Sequence, residues 1–292
     1  MAPTNATAPE AGMTLAIIGC GTMGTAILAG LLTKMRSPGA EARITRFIAC
    51  VNSEGSVERL KTRFRESLDR VTVLRQDNIK GMEEADIVLL ACKPYMIDSV
   101  LSAEKVSAAL TGKLMISVVV GTPTRRIHAA IQGIDLGPPK CFVVRTMPNL
   151  AAEFGESMTV IETTNIPDKY LEITNWIFLQ LGKTVSVTPD VYDVGGVLAG
   201  AAGVYLSVAF DGVLDGAVSQ GIKRPEARKM MTQALRSLAR LLENGDTPDA
   251  LREKFSSPRG TTIEGLMSLE EDRVRYAYTK AIVKATKRSQ SM

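Results

Sequence analysis

Residues 15–24 read Leu15-Ala16-Ile17-Ile18-Gly19-Cys20-Gly21-Thr22-Met23-Gly24, an apolar run that leads directly into three glycines spaced GxGxxG. The run predicts a buried strand, and the pattern over residues 23–35 predicts a helix behind the turn. In this context the first glycine makes a tight turn, the second admits a pyrophosphate, and the third lets the helix pack on the strand. The helix N-terminus offers N–H groups and a positive dipole to phosphates. The stretch therefore predicts a dinucleotide site formed by Gly19, Gly21, Thr22, Met23 and Gly24.

Short apolar runs continue to alternate with amphipathic segments up to about residue 188. The runs that predict strands lie at 15–18, 44–51, 71–74, 87–91, 114–120 and 142–144, and helices are predicted at 23–35, 56–69 and 124–131. A strand at 157–162, a helix at 168–181 and a strand at 184–187 complete the pattern. Alternation of this kind predicts an α/β fold with a doubly wound Rossmann-type sheet.

The pattern becomes purely helical after Pro189. A long helix is predicted from Pro189 to about Ser219, with later breaks near Gly221, Gly245 and Pro258. Its glycines lower helix propensity, which is tolerable where another helix or a ligand approaches closely. A helix this apolar needs more cover than one small domain provides, so we infer a homodimer. The predicted organisation is a disordered tail at 1–12, a dinucleotide-binding Rossmann domain at 13–188 and an all-helical dimerisation and substrate domain at 189–292.

The composition is that of a soluble globular protein and excludes several functions. Of 292 residues, 45% are hydrophobic and 23% charged, and the net charge of +4 comes from scattered Lys and Arg. Without a basic stripe, nucleic acid is not an expected partner. The tail resembles neither a signal nor a transit peptide. Residues 194–210 are uncharged but short for a membrane span, so we predict a helix buried in protein and no membrane partner.

Cysteine and histidine usage narrows the chemistry. Cys20, Cys50, Cys92 and Cys141 lie far apart without CxxC spacing, so we expect buried free thiols of a cytoplasmic protein and no metal site. His128 is the only histidine, which excludes mechanisms that need a His pair and weakens a His-based dehydrogenase.

The tip of the second strand bears on the choice of nicotinamide cofactor. An NAD site usually places a carboxylate there for the ribose 2′-OH, but Asn52 and Ser53 stand at this tip, followed by Arg59, Lys61 and Arg63 on the next helix. Small polar groups near cations suit a 2′-phosphate. We therefore predict NADPH, and the nearby Glu54 leaves NADH open.

Four segments in order along the chain resemble the pyrroline-5-carboxylate reductase family. They are Gly19–Gly24, then Ala91-Cys92-Lys93-Pro94, Arg145-Thr146-Met147-Pro148-Asn149, and Ser256-Ser257-Pro258-Arg259-Gly260-Thr261-Thr262-Ile263. The last is the most specific, because the family keeps a Ser-Pro-Gly-Gly-(Ala/Thr)-Thr sequence late in its helical domain.

The resemblance implies a reductase of a cyclic imine that carries a carboxylate. It places the cofactor against Asn78, Ala91, Cys92, Lys93, Pro94, Val120, Pro148 and Asn149. It also places the substrate in the loop of Ser257, Arg259, Gly260, Thr261 and Thr262, with the catalytic Thr262 facing the ring nitrogen. In the family the active site combines a Rossmann domain with a partner's helical domain, and dimers often assemble into larger oligomers.

The chemistry fits these residues. An imine can already carry the proton at nitrogen, so its reduction needs orientation and a hydrogen-bond partner more than a strong general acid. A plain helix N-cap at Thr261 or Thr262 is the structural alternative for this loop. A β-hydroxyacid dehydrogenase would need a catalytic Lys on the central helix, and residues 191–219 contain none.

Two departures from the family put the substrate in question. The family's Ser-Gly-Ser-Gly-Pro-Ala-Tyr becomes a stretch with Ala199, Ala201 and Gly203 at the two serines and the proline, and Arg259 replaces a glycine. Arg259 either points to solvent, or adds a cation near the substrate carboxylate or reshapes the loop. Three alternatives follow: reduction of pyrroline-5-carboxylate to proline, as in proline biosynthesis; reduction of another cyclic imine in specialised metabolism; or a non-catalytic NADPH-binding paralogue.

Overall fold

The computed structural model describes residues 12–37, 39, 43–133 and 137–292. The prediction of a disordered tail at 1–12 therefore lies, except for Gly12, outside the described residues. The strands are β1 Met13–Ile18, β2 Ile44–Val51, β3 Val71–Arg75, β4 Ile87–Leu90, β5 Leu114–Ser117, β6 Phe142–Met147, β7 Ser157–Glu162 and β8 Gly182–Val187. The first seven helices are α1 Thr22–Met35, α2 Glu54–Arg63, α3 Asn78–Glu84, α4 Ile97–Leu101, α5 Val106–Ala109, α6 Thr124–Gln132 and α7 Asp168–Leu179.

The strands form one sheet in the order β3-β2-β1-β4-β5-β6-β7-β8. Pairing is parallel from β3 through to β6, so the carboxyl ends of these six strands share one edge. The order reverses direction after β1, which creates the crevice where ligands bind in doubly wound sheets. The predicted Rossmann-type fold class is confirmed.

The antiparallel pairing of β7 with β6 was not predicted. A short 3-10 helix, Leu150–Phe154, joins the two strands, and Gly155 ends it in the left-handed conformation with φ 72°. The connection is too short for the crossover that a parallel pair requires, so β7 runs back beside β6. The last strand β8 then pairs parallel to β7.

Two apolar layers cover the two faces of the sheet. Leu15 and Ile17 point into the layer with α1, α2 and α7, whereas Ala16 and Ile18 point into the layer with the helices α3 to α6. This alternation is the two-residue period of a strand, and burial on both faces explains why β1 is apolar throughout.

The rest of the chain is helical, as predicted: α8 Pro189–Ser219, α9 Arg224–Glu243, α10 Pro248–Phe255, α11 Thr261–Glu271 and α12 Val274–Gln290. The chain divides into two compact units, one with residues up to Gly200 and residues 288–292, the other with residues 201–287. This division falls inside α8, and the predicted domain boundary at 188 falls between β8 and α8.

The apolar stretch of α8 is exposed in the single subunit. Within the described residues, α8 is the one helix long and apolar enough to cross a membrane, by length and composition only, and 6% of its most apolar window is buried. The prediction that residues 194–210 are buried in protein is therefore wrong for one subunit. The helix carries its apolar side chains all round, and the subunit by itself covers few of them.

Candidate functional site

The glycine turn packs directly against the end of β4. Gly19 has φ 84°, and a Cβ added there would lie 2.8 Å from both Cα and N of Cys92. The turn is held by hydrogen bonds from the backbone N–H groups of Gly19 and Cys20 to the carbonyl of Cys50, at 3.1 and 2.9 Å. Only glycine meets both the backbone conformation and the close approach at this position.

The N-terminus of α1 has no side-chain cap within the described residues. Its N-cap residue is Gly21, which leaves the first turn of this 14-residue helix without a capping hydrogen bond. A Cβ added to Gly24 would lie 2.8 Å from a methyl group of Ile17, which explains the third glycine as a helix–strand contact. Thr22 and Met23 supply the first N–H groups of α1, at the end of the helix that follows the glycine turn.

The turn after β2 carries Asn52 and Ser53, the residues predicted to hold a 2′-phosphate. Asn52 and Ser53 are exposed at the strand tip, where Ser53 Oγ accepts a hydrogen bond from the N–H of Ser56 as the cap of α2. The carboxylate of Glu54 pairs with Arg75 at 3.3 Å, so an arginine accompanies this acid at the tip.

The three predicted cations behave differently. Arg59 reaches the glycine turn, donating to the carbonyl of Cys20 at 3.3 Å and to Oγ1 of Thr25 at 3.2 Å. Arg63 instead pairs with Glu153. Lys61 is exposed on α2. Of the three, Arg59 is the cation that the fold places beside the glycine turn.

The remaining predicted cofactor residues lie at the same edge of the sheet. Asn78 is the first residue of α3, which follows β3. The N–H of Ala91 donates to the carbonyl of Ile18 at 2.8 Å, Cys92 is buried, and Lys93 and Pro94 begin the next 3-10 turn. After β5, Val120 is 40% exposed and Gly121 turns with φ 68°.

Asn149 links the end of β6 to Ala199, the eleventh residue of α8. Its Oδ1 accepts from the N–H of Ala151, and its Nδ2 donates to the carbonyl of Ala199 at 2.9 Å. Pro148 immediately precedes it after β6. Residues from the ends of β1, β2, β4, β5 and β6, together with the α3 start, therefore share the carboxyl edge predicted to bind the cofactor.

A buried ionic cluster below this edge was missed by sequence reasoning. Arg145, with 8% of its side chain exposed, pairs with Glu162 at 2.8 Å and with Asp193 at 3.8 Å, and lies 4.2 Å from the centre of the Tyr192 ring. Burial raises the pKa of Tyr192. The sequence does show one sign of this cluster, an arginine within a mostly apolar strand. A buried arginine needs a charged partner, but the sequence does not identify that partner.

The predicted substrate loop lies in the helical unit and is exposed in one subunit. Gly260 is the N-cap of α11, rather than Thr261 or Thr262, and its N–H donates to the carbonyl of Ser257 at 2.9 Å. Thr261 and Thr262 form the exposed first turn of α11, without a side-chain cap. Arg259 stands at φ 61°, the left-handed region that favours the glycine of the family pattern.

Burial disfavours the ionised forms of Cys20, Cys50 and His128. All four cysteines are buried free thiols, and burial raises the pKa of Cys20 to about 11 and that of Cys50 to about 12. His128 is half-buried on α6, and burial lowers its pKa. Among the described residues, no group of His, Cys, Asp or Glu has the geometry of a metal site.

Known proteins match the chain along nearly all its length. Residues 189–292 match the family model for pyrroline-5-carboxylate reductase dimerisation, and residues 14–121 match that for NADP oxidoreductase, coenzyme F420-dependent. Among solved structures, the pyrroline carboxylate reductase of Plasmodium falciparum with NADP bound superposes with a TM-score of 0.81 at 21% identity, covering 96% of this chain and 97% of that one. The 1-pyrroline-5-carboxylate reductase of Streptococcus pyogenes gives 0.79 at 24% identity, covering 96% and 99%. At these identities the structures support the fold.

Sequence relatives support the family itself. The chain is 37% identical to a pyrroline-5-carboxylate reductase of Lophium arboricola, with 94% of this chain and 91% of the relative covered. It is 35% identical to that of Neurospora crassa with the same coverage of each chain. One chain thus combines the four motifs, the Rossmann edge and a helical part that matches the dimerisation model. The chain belongs to the pyrroline-5-carboxylate reductase family.

Proposed function

We propose that this protein reduces pyrroline-5-carboxylate to proline with NADPH as the reductant. The observation that carries the proposal is the glycine turn packed on Cys92 beside an uncapped helix N-terminus. This edge occurs in a chain that is 37% identical to a relative named for that activity.

The residues at the edge fit a dinucleotide with a 2′-phosphate. Gly19, Gly21, Thr22, Met23 and Gly24 would hold the pyrophosphate with backbone N–H groups, because a side chain at Gly19 would close the approach. Asn52 and Ser53 with Arg59 would hold the 2′-phosphate, and Asn78 the adenosine ribose. The nicotinamide side would rest on Ala91, Cys92, Lys93, Pro94, Val120, Pro148 and Asn149. When bound, NADPH supplies the hydride that saturates the C=N bond of the iminium.

The loop before α11 would bind and orient the imine. The free N–H groups of its first turn and the Ser257 hydroxyl suit a carboxylate, for the electrostatic reason that helix N-termini bind phosphate. Gly260 and Thr261 shape this turn, and Arg259 places a cation within it. Thr262 would hold the proton-bearing ring nitrogen by a hydrogen bond, so that the nitrogen keeps the proton that becomes the N–H of proline.

A homodimer fits the exposed apolar surface of the helical part. Leu198, Val204 and Val208 on α8 are 62%, 66% and 75% exposed, and the residues from 189 onward match a dimerisation model. The proposed dimer covers these side chains, and assembly of dimers into a larger oligomer is the extension that the family resemblance implies. A cytoplasmic location without a membrane or nucleic-acid partner completes the proposal.

The altered residues favour one second candidate, reduction of a different cyclic imine. Gly200 and Gly203 have no neighbouring atoms within 4 Å of an added Cβ, so α8 is open beside Ala201 and at Gly203, where the family has a serine and a proline. Ala199, in place of the other serine, is half-buried against the cluster of Met147, Val160 and Tyr192. Arg259 adds a charge in the substrate loop. Both changes would alter which ring and which substituents fit. Of the altered residues, Ala199 also contacts the cofactor edge, because its backbone carbonyl accepts a hydrogen bond from Asn149.

The deciding experiment follows NADPH consumption by the purified protein with pyrroline-5-carboxylate, with a six-membered carboxylated imine, and with NADH in place of NADPH. Fast turnover of pyrroline-5-carboxylate with NADPH is the expected result. Turnover of the six-membered imine alone would move the proposal to the second candidate. NADPH binding without turnover of either imine would contradict both and leave a non-catalytic cofactor-binding protein.

A threonine pair tests the assigned role of Thr262. Thr262→Ala is expected to lower kcat at least about tenfold, since a hydrogen bond to a charged group contributes about 1.5–3 kcal/mol, and to leave NADPH affinity unchanged. Thr232→Ala, which loses a bond from the hydroxyl to the Arg228 carbonyl on α9, is the control. Equal kcat in both variants would remove Thr262 from the mechanism.

A further inference from the structure

The end of α12 folds onto the nucleotide-binding unit. Residues 288–292 belong to the same compact unit as the residues up to Gly200. Ser289 is the one buried residue of α12, and its hydroxyl donates to Oδ1 of Asp193 at 2.9 Å. Backbone bonds from Ser291 to Arg288 and from Met292 to Ser289 close the last turn. We call residues 288–292 the C-terminal turn.

The acceptor of this bond is held in place by the buried cluster. Asp193 lies 3.8 Å from Arg145, which also pairs with Glu162 at 2.8 Å. One arginine therefore faces two carboxylates, and the excess negative charge is partly satisfied by the Ser289 hydroxyl. Hydrogen bonds to a charged acceptor are about twice as strong as neutral ones, so this bond fixes the position of the turn.

The C-terminal turn contacts the loop at the end of β5. A Cβ added to Gly121 would lie 2.5 Å from Cβ and 3.3 Å from Sδ of Met292. Gly121 follows the exposed Val120 at the carboxyl edge of the sheet, within the segment assigned to the nicotinamide side of the cofactor. The Met292 side chain therefore packs against this loop at Gly121, where the loop has no side chain of its own.

We infer that the C-terminal turn positions the Val120–Gly121 loop for the cofactor, with Met292 as the contact and the Ser289–Asp193 bond as its anchor. The inference rests on the proposed cofactor edge. Both Ser289 and Met292 are positioning residues: they act on the nicotinamide end through Gly121. Neither side chain belongs to the glycine turn or to the substrate loop. We therefore expect the loss of either side chain to weaken cofactor binding and to leave the chemical step unchanged.

The test compares Ser289→Ala and Met292→Ala with Lys284→Ala, an exposed residue on the same helix. Each positioning variant is expected to raise KM and Kd for NADPH about threefold to tenfold, the effect of a lost bond or contact of about 1 kcal/mol, with kcat within twofold. The control should match the wild type. NADPH binding is measured directly by the fluorescence of the bound nicotinamide, and unfolding by a thermal scan.

Unchanged NADPH affinity in both variants would overturn the inference, as would a loss of affinity fully explained by unfolding at the assay temperature. The binding measurement separates this inference from the proposed function. A wild-type protein that binds NADPH without reducing an imine would contradict the function, and the Kd comparison would still decide the role of the turn.

Discussion

At the residue scale, Gly19 combines two demands that are usually met by different glycines. Its φ of 84° excludes most side chains on backbone grounds, and the backbone of Cys92 excludes them by distance. Gly112 has a similar φ of 75° with nothing within 4 Å of an added Cβ, so it meets the first demand alone. The two positions therefore separate backbone strain from close packing.

We expect Gly19→Ala to weaken NADPH binding at least about tenfold and to destabilise the fold by more than the 1–2 kcal/mol that a left-handed alanine costs. Gly112→Ala should show the strain alone, with NADPH affinity unchanged. Fluorescence titration and denaturant unfolding of both variants measure the difference. Equal NADPH affinity in the two variants would contradict the assignment of the Gly19 turn to the cofactor.

A second residue-scale prediction concerns Arg259, which occupies a left-handed position at φ 61°. Arg259→Gly should not lower the melting temperature, because glycine relieves strain that offsets its greater unfolded-state entropy. We expect its KM for the imine carboxylate to rise severalfold, since a cation leaves the loop. Arg273→Gly, at φ 54° between α11 and α12, is the matched control and should leave KM unchanged. An equal KM in both variants would place the Arg259 side chain in solvent.

At the element scale, the β2–α2 turn is the element that we propose selects NADPH over NADH. Ser53 caps α2, Arg59 returns to the glycine turn, and Arg75 pairs with Glu54, so a 2′-phosphate at the tip meets positive charge. In NAD-binding Rossmann domains a carboxylate usually stands at the position of Asn52. Such a carboxylate binds the ribose 2′-OH and would repel a 2′-phosphate.

We expect Asn52→Asp to lower kcat/KM with NADPH at least about tenfold and to raise it with NADH, because like charges at close range cost more than 1 kcal/mol. Asn244→Asp, at the end of α9, adds the same charge away from this turn and serves as the control. The readout is the ratio of the two kcat/KM values. A ratio that does not change would mean that the 2′-phosphate lies elsewhere.

At the scale of the whole molecule, α8 is the element that a single subunit does not explain. By length and mean hydropathy α8 could cross a membrane, yet it lies in a segment that matches a family model for dimerisation. Burying exposed aliphatic side chains stabilises an assembly by about 25 cal/mol per Å² of apolar surface, which makes this helix the natural centre of a subunit interface.

Val208→Glu tests the interface, since Val208 is 75% exposed and its replacement need not disturb the subunit. We expect a monomer, or a dimer at least about 100-fold weaker, because a buried unpaired carboxylate costs several kcal/mol. Activity should fall with dimer content if the partner completes the site. Lys105→Glu on the nucleotide-binding unit is the control. Light scattering that finds the same mass for Val208→Glu and the wild type would contradict the interface.

Much of this organisation was predictable from the sequence because its causes are local. Three glycines at fixed spacing, a strand before them and a helix after them define a phosphate turn through backbone sterics alone. Apolar runs of strand length identified all eight strands, although 87–91 and 114–120 were predicted longer than β4 and β5, because their last residues belong to the loops of the binding edge. The short helices α3, α4 and α5 were not predicted, since few residues carry too little periodicity.

Other features of the structure depend on contacts between residues that are distant in the chain. The reversal of β7, the pairing of Arg145 with Glu162 and Asp193, and the contact of Met292 with Gly121 join residues 13 to 171 positions apart. The hydrophobic periodicity of the sequence does not reveal which of these distant residues contact one another. Local sequence patterns are enough to specify the Rossmann turn, the helical second half and the family motifs. Which charges pair depends on the fold, because a buried charge without a partner is strongly destabilising and packing sets which partner lies within reach.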